Sequence, residues 1–453
     1  MFKRILVANR GEIALRILRA CHELGVSTAC VFSEEDRGAA YLVLADRAYC
    51  IGPPAPADSY LRSDRIIAAA ELAGADAIHP GYGFLAENAQ FADKCRASNI
   101  EFIGPSSEAM RLLGNKAAAR TLAKKARVPI VPGSDGPVED DDDEALKLAE
   151  KIGFPIMIKA AGGGGGRGMR VVREPGEFTT ALAHARQEAR MAFNDATVYF
   201  EAYLEAPRHV EVQVLADGQG KAIHLFERDC TMQRRHQKLI EETPSPAIDD
   251  KIRANLCKWA TKLVRAAGYH SAGTVEFIGD AKGHFYFMEM NARIQVEHPV
   301  TEATSGIDLI KTQIEIAAGA PLPFTQRMIR RDGCAMEARI NAEDPDENFR
   351  PCAGRIEVFR PPGGPGVRVD THAHAGYRIS PRYDSMIGKV IVHRRTRDEA
   401  IASMKRCLSE FAIEPIKTTI PLYLKILNHP DFIAGRFDTG LVDRMLAQSK
   451  EPR

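Results

Sequence analysis

The chain has 453 residues, enough for two or three domains with substantial cores, and its apolar (45%) and charged (27%) contents are those of an ordinary globular protein. Because 61 basic residues face 60 acidic ones, the charge balance excludes a global electrostatic footprint for nucleic acid or an anionic membrane. Nine cysteines occur without a CxxC pair, and no apolar run approaches the ~20 residues that span a bilayer, so we expect a cytoplasmic protein.

The first hundred residues alternate strand and helix patterns. "RILVAN", "STACVF", "DAIHP" and "IEFIGP" predict short buried strands, while "GEIALRILRACHELG" and "FLAENAQFADKCRA" predict helices. Short apolar strands separated by helices predict a doubly wound parallel sheet in an α/β fold. The first β–α turn, "ANRGEIA", has one glycine instead of G-x-G-x-x-G, so NAD binding is not expected there.

Farther along, a helix from about Asn115 leads into a segment rich in proline, glycine and aspartate, which predicts a hinge into a second unit. We interpret the acidic run from Glu139 to Glu144 as a solvated loop at a helix N-terminus. "HVEVQVLADGQGKAIHLFERD" and "TVEFIGDAKGHFYFMEMN" predict two hairpins. The last hundred residues add strands such as "MIGKVIVH" and end in two or three helices.

A glycine-rich stretch, "KAAGGGGGRGM", lies between the strand patterns "PIMIK" and "MRVV". A flexible linker is one interpretation, but a linker joins domains, whereas these flanking strands look paired. The strand-like "MRVV" also replaces the helix that a dinucleotide fingerprint requires. We therefore predict a hairpin with a mobile lid, whose backbone N–H groups close over phosphate oxygens while Lys159 contacts a phosphate.

Polar residues alternate with mostly apolar ones through "EMNARIQVEH". In a strand, this alternation places one set on a common face: Glu289, Asn291, Arg293, Gln295 and Glu297. If the preceding hairpin turns near residues 282–283, Glu276 lies across from Glu289. Two facing carboxylates repel each other unless a cation lies between them, and Asn291 adds a third oxygen. The pattern therefore predicts an Mg²⁺ site.

A straight strand would separate Glu289 from Glu297 by roughly 26 Å, which is too far for one active site. We therefore predict a bend near Arg293 and expect Pro299 to stop the strand. The alternative is an edge strand with a solvated polar face.

The segment "ERDCTMQRRHQKLIEE" permits two interpretations. It forms a basic surface turn balanced by Glu241 and Glu242, or its residues Gln233, His236 and Lys238 bind ribose, phosphate or a small anion. Nothing in the spacing decides between the two. We interpret Cys230 in this segment as a packing residue.

Seven motifs follow one another in a recognisable order: "ILVANRGEIALRI", "HPGYGFLAEN", "IKAAGGGGGRGMRVV", "ERDCTMQRRHQK", "EMNARIQVEHPVTE", "INAEDP" and "YDSMIGK". From Phe2 to about residue 446, the chain resembles biotin carboxylases of the ATP-grasp class, in particular the stand-alone bacterial subunit of acetyl-CoA carboxylase. The resemblance implies an N-terminal α/β domain (1–114), an ATP-grasp region (115–334) with a hinged lid at about 131–203, a mixed α/β C-terminal domain (335–446) and a tail (447–453).

The resemblance also implies roles for individual residues. Nucleotide contacts are implied for Lys116, Lys159, Gly165, Gly166, Glu201, Leu204, His209, Gln233 and His236. The ligands of Mg²⁺ or Mn²⁺ are Glu276, Glu289 and Asn291, of which both glutamates also serve nucleotide binding. The bicarbonate site corresponds to Lys238, Arg293, Gln295, Val296 and Glu297, and the biotin side corresponds to Tyr82 and Arg339.

The implied reaction has two steps. Glu297 deprotonates bicarbonate, which attacks the γ-phosphate of ATP to give carboxyphosphate and ADP. Carboxyphosphate then yields CO₂ and phosphate, the phosphate takes the ureido proton of biotin, and Arg339 stabilises the oxyanion while N1′ attacks CO₂. Lys238 and Arg293 complete the implied catalytic set by neutralising charge.

Other expectations concern partners. The chain has no Met-Lys-Met carrier motif, so we expect biotin on a separate biotin carboxyl carrier protein, together with separate carboxyltransferase subunits. The resemblance implies a homodimer that packs near Arg19, Glu23 and the "GGPGVR" loop, where Pro365 replaces the phenylalanine of the well-known bacterial member. Ala292 also departs from the Thr or Pro of many relatives, and we expect little effect.

Three rival interpretations remain open. A different ATP-grasp ligase that joins a carboxylate to an amine would keep Lys159 and the metal ligands, but it has no use for "RIQVEH" or Arg339. A catalytically silent nucleotide-binding regulator requires a damaged site, and none of the expected residues is missing. The third is a biotin carboxylase subunit of a pyruvate carboxylase or another acyl-CoA carboxylase.

Overall fold

The structure, a computed structural model, describes residues 1–134, 136–138, 141–160, 169–193 and 195–448. Its internal contacts divide the chain into two units. Unit 1 comprises residues 1–128, 208–277 and 289–453, and unit 2 comprises residues 129–207 and 278–288. The expected domain boundaries at 114/115 and 334/335 fall inside unit 1 and stay a prediction. Among the described residues, no helix is long and apolar enough to cross a membrane.

Unit 1 begins with a five-stranded parallel sheet, as the alternating pattern predicts. Its strands are β1 (Arg4–Val7), β2 (Ser27–Phe32), β3 (Arg47–Cys50), β4 (Ala77–His79) and β5 (Glu101–Phe102), in the order β3-β2-β1-β4-β5. The helices are α1 (Gly11–Glu23), α2 (Ser63–Ala73), α3 (Ala89–Ala97), α4 (Ser107–Gly114) and α5 (Lys116–Lys125). The helix α3 begins later than expected because the Asn88 side chain caps it by accepting from the Phe91 amide.

The loop after β4 presents Tyr82 at the point where the strand order reverses, between β1 and β4. Ligands of open α/β sheets bind at such switch points. The buried Asn9 side chain donates to the carbonyls of Pro80 and Tyr82, each over 2.7 Å. Gly81 has φ +64°, and a Cβ there would approach Ile13 Cγ1 to 2.9 Å, so only glycine fits this turn.

Unit 2 contains a small antiparallel sheet with two helices. The elements are α6 (Asp142–Ile152), β6 (Ile156–Ala160), β7 (Met169–Val172), α7 (Phe178–Phe193) and β8 (Val198–Ala202), with the sheet order β7-β6-β8. The register pairs Lys159 with Met169, so the predicted hairpin is confirmed. Its glycine loop, including Gly165 and Gly166, lies at 161–168 and outside the described residues. Asp141 caps α6 through its side chain, as expected for an acidic helix start.

Residues 208–448 supply the remaining elements. The strands are β9 (Arg208–Ala216), β10 (Ala222–Arg234), β11 (Gln237–Thr243), β12 (Ser271–Gly279), β13 (Phe285–Asn291), β14 (Cys334–Asn341), β15 (Glu343–Asp344), β16 (Arg350–Pro351), β17 (Gly354–Arg355), β18 (Val358–Arg360), β19 (Val367–Thr371), β20 (Arg378–Ile379), β21 (Met386–Arg394) and β22 (Ala412–Glu414). The helices are α8 (Asp250–Ala266), α9 (His298–Ser305), α10 (Leu309–Ala317), α11 (Arg397–Glu410), α12 (Ile420–Asn428), α13 (Pro430–Ile433) and α14 (Leu441–Gln448).

Eight of these strands form one sheet in the order β13-β12-β9-β10-β11-β14-β21-β19. Both predicted hairpins, β9–β10 and β12–β13, are neighbours in it. A third hairpin joins β10 to β11 through Arg235 and His236, whose φ angles of +47° and +66° are those of a two-residue type I′ turn. This turn fixes the register in which Gln233 pairs with Lys238. One extended sheet thus carries side chains from several strands to a common face.

The chain bends after β13, as the distance argument predicts. The strand ends at Asn291, an irregular segment follows, and Glu297 is the N-cap residue of α9. The expectation that Pro299 stops a strand is wrong. Pro299 instead lies in the first turn of α9, where its missing N–H costs no intrahelical hydrogen bond.

The core of unit 2 is small and depends on aromatic packing, which gives a stability prediction. Phe178 is fully buried, and its ring lies 5.5 Å from that of Phe200 and 6.3 Å from that of Phe154. We expect Phe178→Ala to lower the free energy of unfolding of this unit by about 3–5 kcal/mol, because it leaves a cavity. Hydrogen exchange of β6 to β8 measures the loss. Met191→Ala, an 81% exposed position on the same helix, is the control and should change protection little.

Candidate active site

A buried lysine organises the site in unit 1. Lys238 on β11 places Nζ 2.6 Å from Glu211 Oε2, 3.0 Å from Glu276 Oε1 and 2.7 Å from Glu297 Oε1. These acids come from β9, β12 and the start of α9. Burial by itself lowers the pKa of Lys238, but the three carboxylates outweigh burial and raise the pKa well above its usual value. The ammonium therefore keeps its charge.

A second buried cation, Arg228, hydrogen-bonds to residues of this cluster. Arg228 is completely buried, and its guanidinium donates to five side chains over 2.6–3.1 Å: Glu211, Gln213, Thr274, Gln295 and Thr301. Gln295 in turn donates from Nε2 to Glu276 Oε1 over 2.9 Å. Sequence reasoning missed both Arg228 and Glu211. The available pattern was the polar–apolar alternation of "HVEVQV" in a strand that is buried on both faces.

Glu297 is the carboxylate best placed to accept a proton. Its Oε1 faces Lys238, and its Oε2 lies 2.9 Å from Arg339 Nη2. Burial by itself raises the pKa of Glu297, but the charges of Lys238, Arg339 and Arg228 outweigh burial and hold the pKa well below the usual range. The group is therefore an ionised acceptor between two cations.

Arg293 lies beside the predicted metal ligands, and its partner is an acid that sequence reasoning missed. Its Nε is 3.0 Å from Glu87 Oε2, and its Nη2 donates to Asn291 Oδ1 over 3.1 Å. Glu87 also accepts from the Ala292 amide over 2.9 Å, so one carboxylate holds the bend after β13. The Ala292 side chain is buried.

The three predicted metal ligands fit a divalent cation by their chemistry. Asn291 donates from Nδ2 to Glu276 Oε1 over 2.7 Å, so the amide and this acid are in contact. Burial and the negative charge of Glu276 raise the pKa of Glu289, while the charges of Lys116, His209 and Lys238 lower it, so the two acids repel each other electrostatically. A divalent ion would relieve that repulsion. Among the described residues, two triads also place their donor atoms within ion-binding distance: His209, Glu211 and Glu276, and Glu211, Cys230 and Glu297.

The residues expected to contact the nucleotide fall into two groups in unit 1. His209 Nε2 lies 3.1 Å from Glu276 Oε2, and Gln233 is buried across the ladder from Lys238. His236 is exposed at the type I′ turn, and Lys116 is exposed as the first residue of α5. Lys116 is near enough to Glu289 for its positive charge to lower the pKa of that acid.

Unit 2 holds the other expected nucleotide residues that are described. Lys159 Nζ donates to Glu201 Oε2 across the pairing of β6 with β8. Leu204 follows β8 and is half-buried. Burial of these residues is partial, which leaves Lys159 accessible to an anionic ligand.

The residues expected on the substrate side have well-defined partners. Arg339 on β14 donates from Nε to Glu241 Oε1 over 2.6 Å and also contacts Glu297. The Tyr82 hydroxyl donates to Glu12 Oε2 over 2.6 Å. The Val296 carbonyl accepts from Lys389 Nζ over 2.7 Å. Sequence reasoning missed Glu12 and Lys389.

The site has two neighbouring acids with an amide, lysines near them, and an arginine–carboxylate pair beside them. The chain also has a small sheet with a hairpin whose sequence is rich in glycine. These features define an ATP-dependent ligase of the ATP-grasp class. Family models match nearly the whole chain: "Biotin carboxylase, N-terminal domain" at 1–110, "Carbamoyl-phosphate synthase L chain, ATP binding domain" at 115–325 and "Biotin carboxylase C-terminal domain" at 337–444.

Similar proteins agree with this assignment. Biotin carboxylase 1 of Bacillus subtilis is 55% identical over 444 residues, which cover 98% of each chain. The biotin carboxylase of Campylobacter jejuni, solved with a nucleotide, is 49% identical with a TM-score of 0.91, covering 98% of this chain and 99% of the other. The dimeric biotin carboxylase domain of Hydrogenobacter thermophilus 2-oxoglutarate carboxylase, solved with MgADP, ADP and bicarbonate, is 46% identical with a TM-score of 0.90, covering 100% of both chains. The chain belongs to the biotin carboxylase family.

Glu241 gives a pH prediction. Burial raises its pKa from an ordinary 4.5 to about 7, with Glu297 adding to the rise and Arg339 opposing it. The folded chain therefore binds a proton that the unfolded chain has released between these pH values, so stability falls as the pH rises from 4.5 through 7, by up to about 1.4 kcal/mol per pH unit. Glu241→Gln keeps an acceptor for Arg339 but cannot ionise. We expect urea unfolding to show the variant gaining stability relative to the unchanged chain as the pH rises from 4.5 through 7, and then a constant difference at higher pH. A difference that stays constant across the whole range would contradict the prediction.

Proposed function

We propose that this chain catalyses the ATP- and bicarbonate-dependent carboxylation of biotin on a separate biotin carboxyl carrier protein, through carboxyphosphate. This is the first half-reaction of acetyl-CoA carboxylase in fatty acid synthesis. The observation that carries the proposal is the ionised Glu297 between Lys238 and Arg339, beside the paired acids Glu276 and Glu289. A base, two anion-binding cations and a candidate metal site are what bicarbonate phosphorylation requires.

In the first step, bicarbonate is bound among Lys238, Arg293, Gln295, the Val296 backbone and Glu297. Glu297 accepts its proton, and the resulting oxyanion attacks the γ-phosphate of ATP. Lys238 and Arg293 balance the negative charge that gathers between the two anions. The buried surroundings of Glu297 exclude water from the reacting groups.

The residues proposed to contact the nucleotide are those that the resemblance to biotin carboxylases implies. In unit 1 these are Lys116, His209, Gln233 and His236; in unit 2 they are Lys159, Gly165, Gly166, Glu201 and Leu204. Glu276, Glu289 and Asn291 would hold Mg²⁺ or Mn²⁺, and when bound the ion supplies charge neutralisation on the phosphates. The repulsion between the two acids supports this assignment.

In the second step, Tyr82 and Arg339 lie on the side of the site that binds biotin. The phosphate released from carboxyphosphate takes the ureido proton, and the Arg339 guanidinium stabilises the oxyanion that develops. Arg339 is suited to this role because its guanidinium contacts Glu297 through Nη2 while Glu241 orients it by accepting from Nε.

Partners follow from the reaction. A biotinylated carrier protein delivers biotin, carboxyltransferase subunits use the product, and the cytoplasm is the expected compartment. We also propose a homodimer that packs through the region of Arg19, Glu23 and the 363–368 loop, where a cavity of about 570 Å³ also lies against Arg16 and Arg368. The structure of the Hydrogenobacter thermophilus relative is a dimer. That relative's name also favours a second candidate, in which the carboxyl group finally reaches a 2-oxo acid.

The proposal predicts which compounds drive turnover. With MgATP, we expect ADP release to require bicarbonate and to rise on addition of free biotin, because carboxyphosphate is consumed by the second step. A coupled assay for ADP, with and without each compound, checks this. ADP release that depends on an amine and not on bicarbonate would favour the carboxylate–amine ligase instead.

Glu297→Gln separates the proposed base from its neighbours. The amide keeps the size and one acceptor but cannot take a proton, so we expect bicarbonate-dependent ADP release to fall by about 10²–10⁴-fold. Glu302→Gln, a buried acid five residues on that contacts Arg16 and Arg368, is the matched control and should retain most turnover. Unchanged bicarbonate-dependent turnover in Glu297→Gln would refute the role.

A further inference from the structure

A line of three buried contacts joins the two ends of the proposed substrate site. Lys389 on β21 is fully buried, and its Nζ donates to the Val296 carbonyl over 2.7 Å and lies 3.2 Å from Glu12 Oε1. Glu12 belongs to the first turn of α1, and its Oε2 accepts from the Tyr82 hydroxyl over 2.6 Å. Tyr82 is on the proposed biotin side and Val296 is on the proposed bicarbonate side.

The charges around Lys389 leave Glu12 as its ionic partner. The other charged or titratable groups near it are Glu337 and Arg339 on β14, Asp370 and Arg368 on β19, and His298 at the start of α9. Asp370 is engaged by the Arg368 guanidinium over 2.6 and 2.8 Å.

Glu337 is buried and, among the described residues, neither of its carboxylate oxygens makes a hydrogen bond. Burial raises the pKa of Glu337 well above its usual range, which opposes its ionisation. Of the described carboxylates, the one in ion-pair contact with the ammonium is Glu12.

The contact at Val296 fixes more than one atom. Because the peptide bond is planar, holding the Val296 carbonyl also sets the orientation of the Glu297 N–H and the position of the Glu297 Cα atom. Glu297 must reach Lys238 and Arg339 at the same time. A rotation of this peptide would move the Glu297 carboxylate away from Lys238 and Arg339.

The Tyr82 end is fixed in a comparable way. Asn9 holds the backbone carbonyl of Tyr82, and Glu12 holds its hydroxyl. The backbone and the side-chain hydroxyl of Tyr82 are therefore both held by residues of unit 1, and one of them, Glu12, also contacts Lys389.

We propose that Glu12 and Lys389 are positioning residues that hold Tyr82 and the Val296–Glu297 peptide in one arrangement, so that biotin and bicarbonate are aligned by the same buried ion pair. This inference rests on the proposed function. It predicts that weakening the pair impairs the handling of both substrates together, although neither residue touches either substrate.

The test uses the whole chain with free biotin, bicarbonate and MgATP. Glu12→Gln keeps an acceptor for the Tyr82 hydroxyl but removes the charge that faces Lys389. We expect the KM for bicarbonate and the KM for biotin each to rise by about tenfold, and more ADP to be released per carboxybiotin formed. Tyr82→Phe, which removes only the hydroxyl, should raise the KM for biotin and leave the KM for bicarbonate unchanged.

Glu242→Gln is the matched control, because Glu242 is also a buried acid in a two-bond ion pair, with Arg397, but is not part of the site. It should lose stability without changing either KM. If Glu12→Gln folds poorly, the double variant Glu12→Gln with Lys389→Met removes both buried charges and should show the same paired rise.

A folded Glu12→Gln with either KM unchanged would overturn the positioning role and leave the proposed function standing. An unchanged chain without bicarbonate-dependent ADP release would overturn both.

Discussion

The structure of the site depends on one costly arrangement, a buried ammonium surrounded by three buried carboxylates. Taking each of these charges out of water costs several kcal/mol unless partners replace the lost hydration. Lys238 serves three acids, and Arg228 satisfies Glu211 from the opposite side. Because the partners come from β9, β10, β11, β12 and the start of α9, the charge cluster holds these elements in register.

The same cluster carries more negative than positive charge, and this imbalance has a functional consequence. Glu211, Glu276 and Glu297 face three cations, Lys238, Arg228 and Arg339, and Glu289 adds a fourth acid whose pKa is raised by burial and by Glu276. A site with surplus carboxylates is stabilised by whatever positive charge arrives. Under the proposed function that charge comes with the nucleotide as its divalent ion. The ion would reduce the repulsion among the carboxylates, and the nucleotide phosphates would help to bind the ion, so each would favour binding of the other.

Local periodicity in the sequence predicted several residues of this cluster, and the roles given to them stay a prediction. The alternation from Glu289 to Glu297 and the hairpin opposite it identified the paired acids, and the distance argument found the bend. Sequence alone did not find Glu87, Glu12 or Lys389, because each acts through a partner that is far away along the chain. It also did not find Arg228, although Glu211 lies opposite it in the predicted β9–β10 hairpin. Lys389 meets Val296 across 93 residues and Glu87 meets Arg293 across 206. Such pairings depend on sheet order, which strand patterns do not specify.

Pro299 shows the opposite failure, in which a local rule was applied with the wrong secondary structure. Proline ends a strand, but it also fits the first turn of a helix, and nothing in "EHPVTE" distinguishes the two. The roles given to Gly165 and Gly166 stay a prediction, since both lie outside the described residues. The motif-based assignments for the nucleotide are proposals of the same kind.

The low pKa of Glu297 raises a chemical question, because a carboxylate that is strongly stabilised by cations is a weak base. Of the cations that lower this pKa, Lys238 is also proposed to bind bicarbonate. Under the proposed function, bound bicarbonate would place a second negative charge beside the Lys238 ammonium, which would weaken the stabilisation of the Glu297 carboxylate. A nearby negative charge raises the pKa of a carboxyl group, so bound bicarbonate would make Glu297 a stronger base. The ion pairs thus hold Glu297 ionised in the chain without substrate, and under the proposed function substrate binding would strengthen the base.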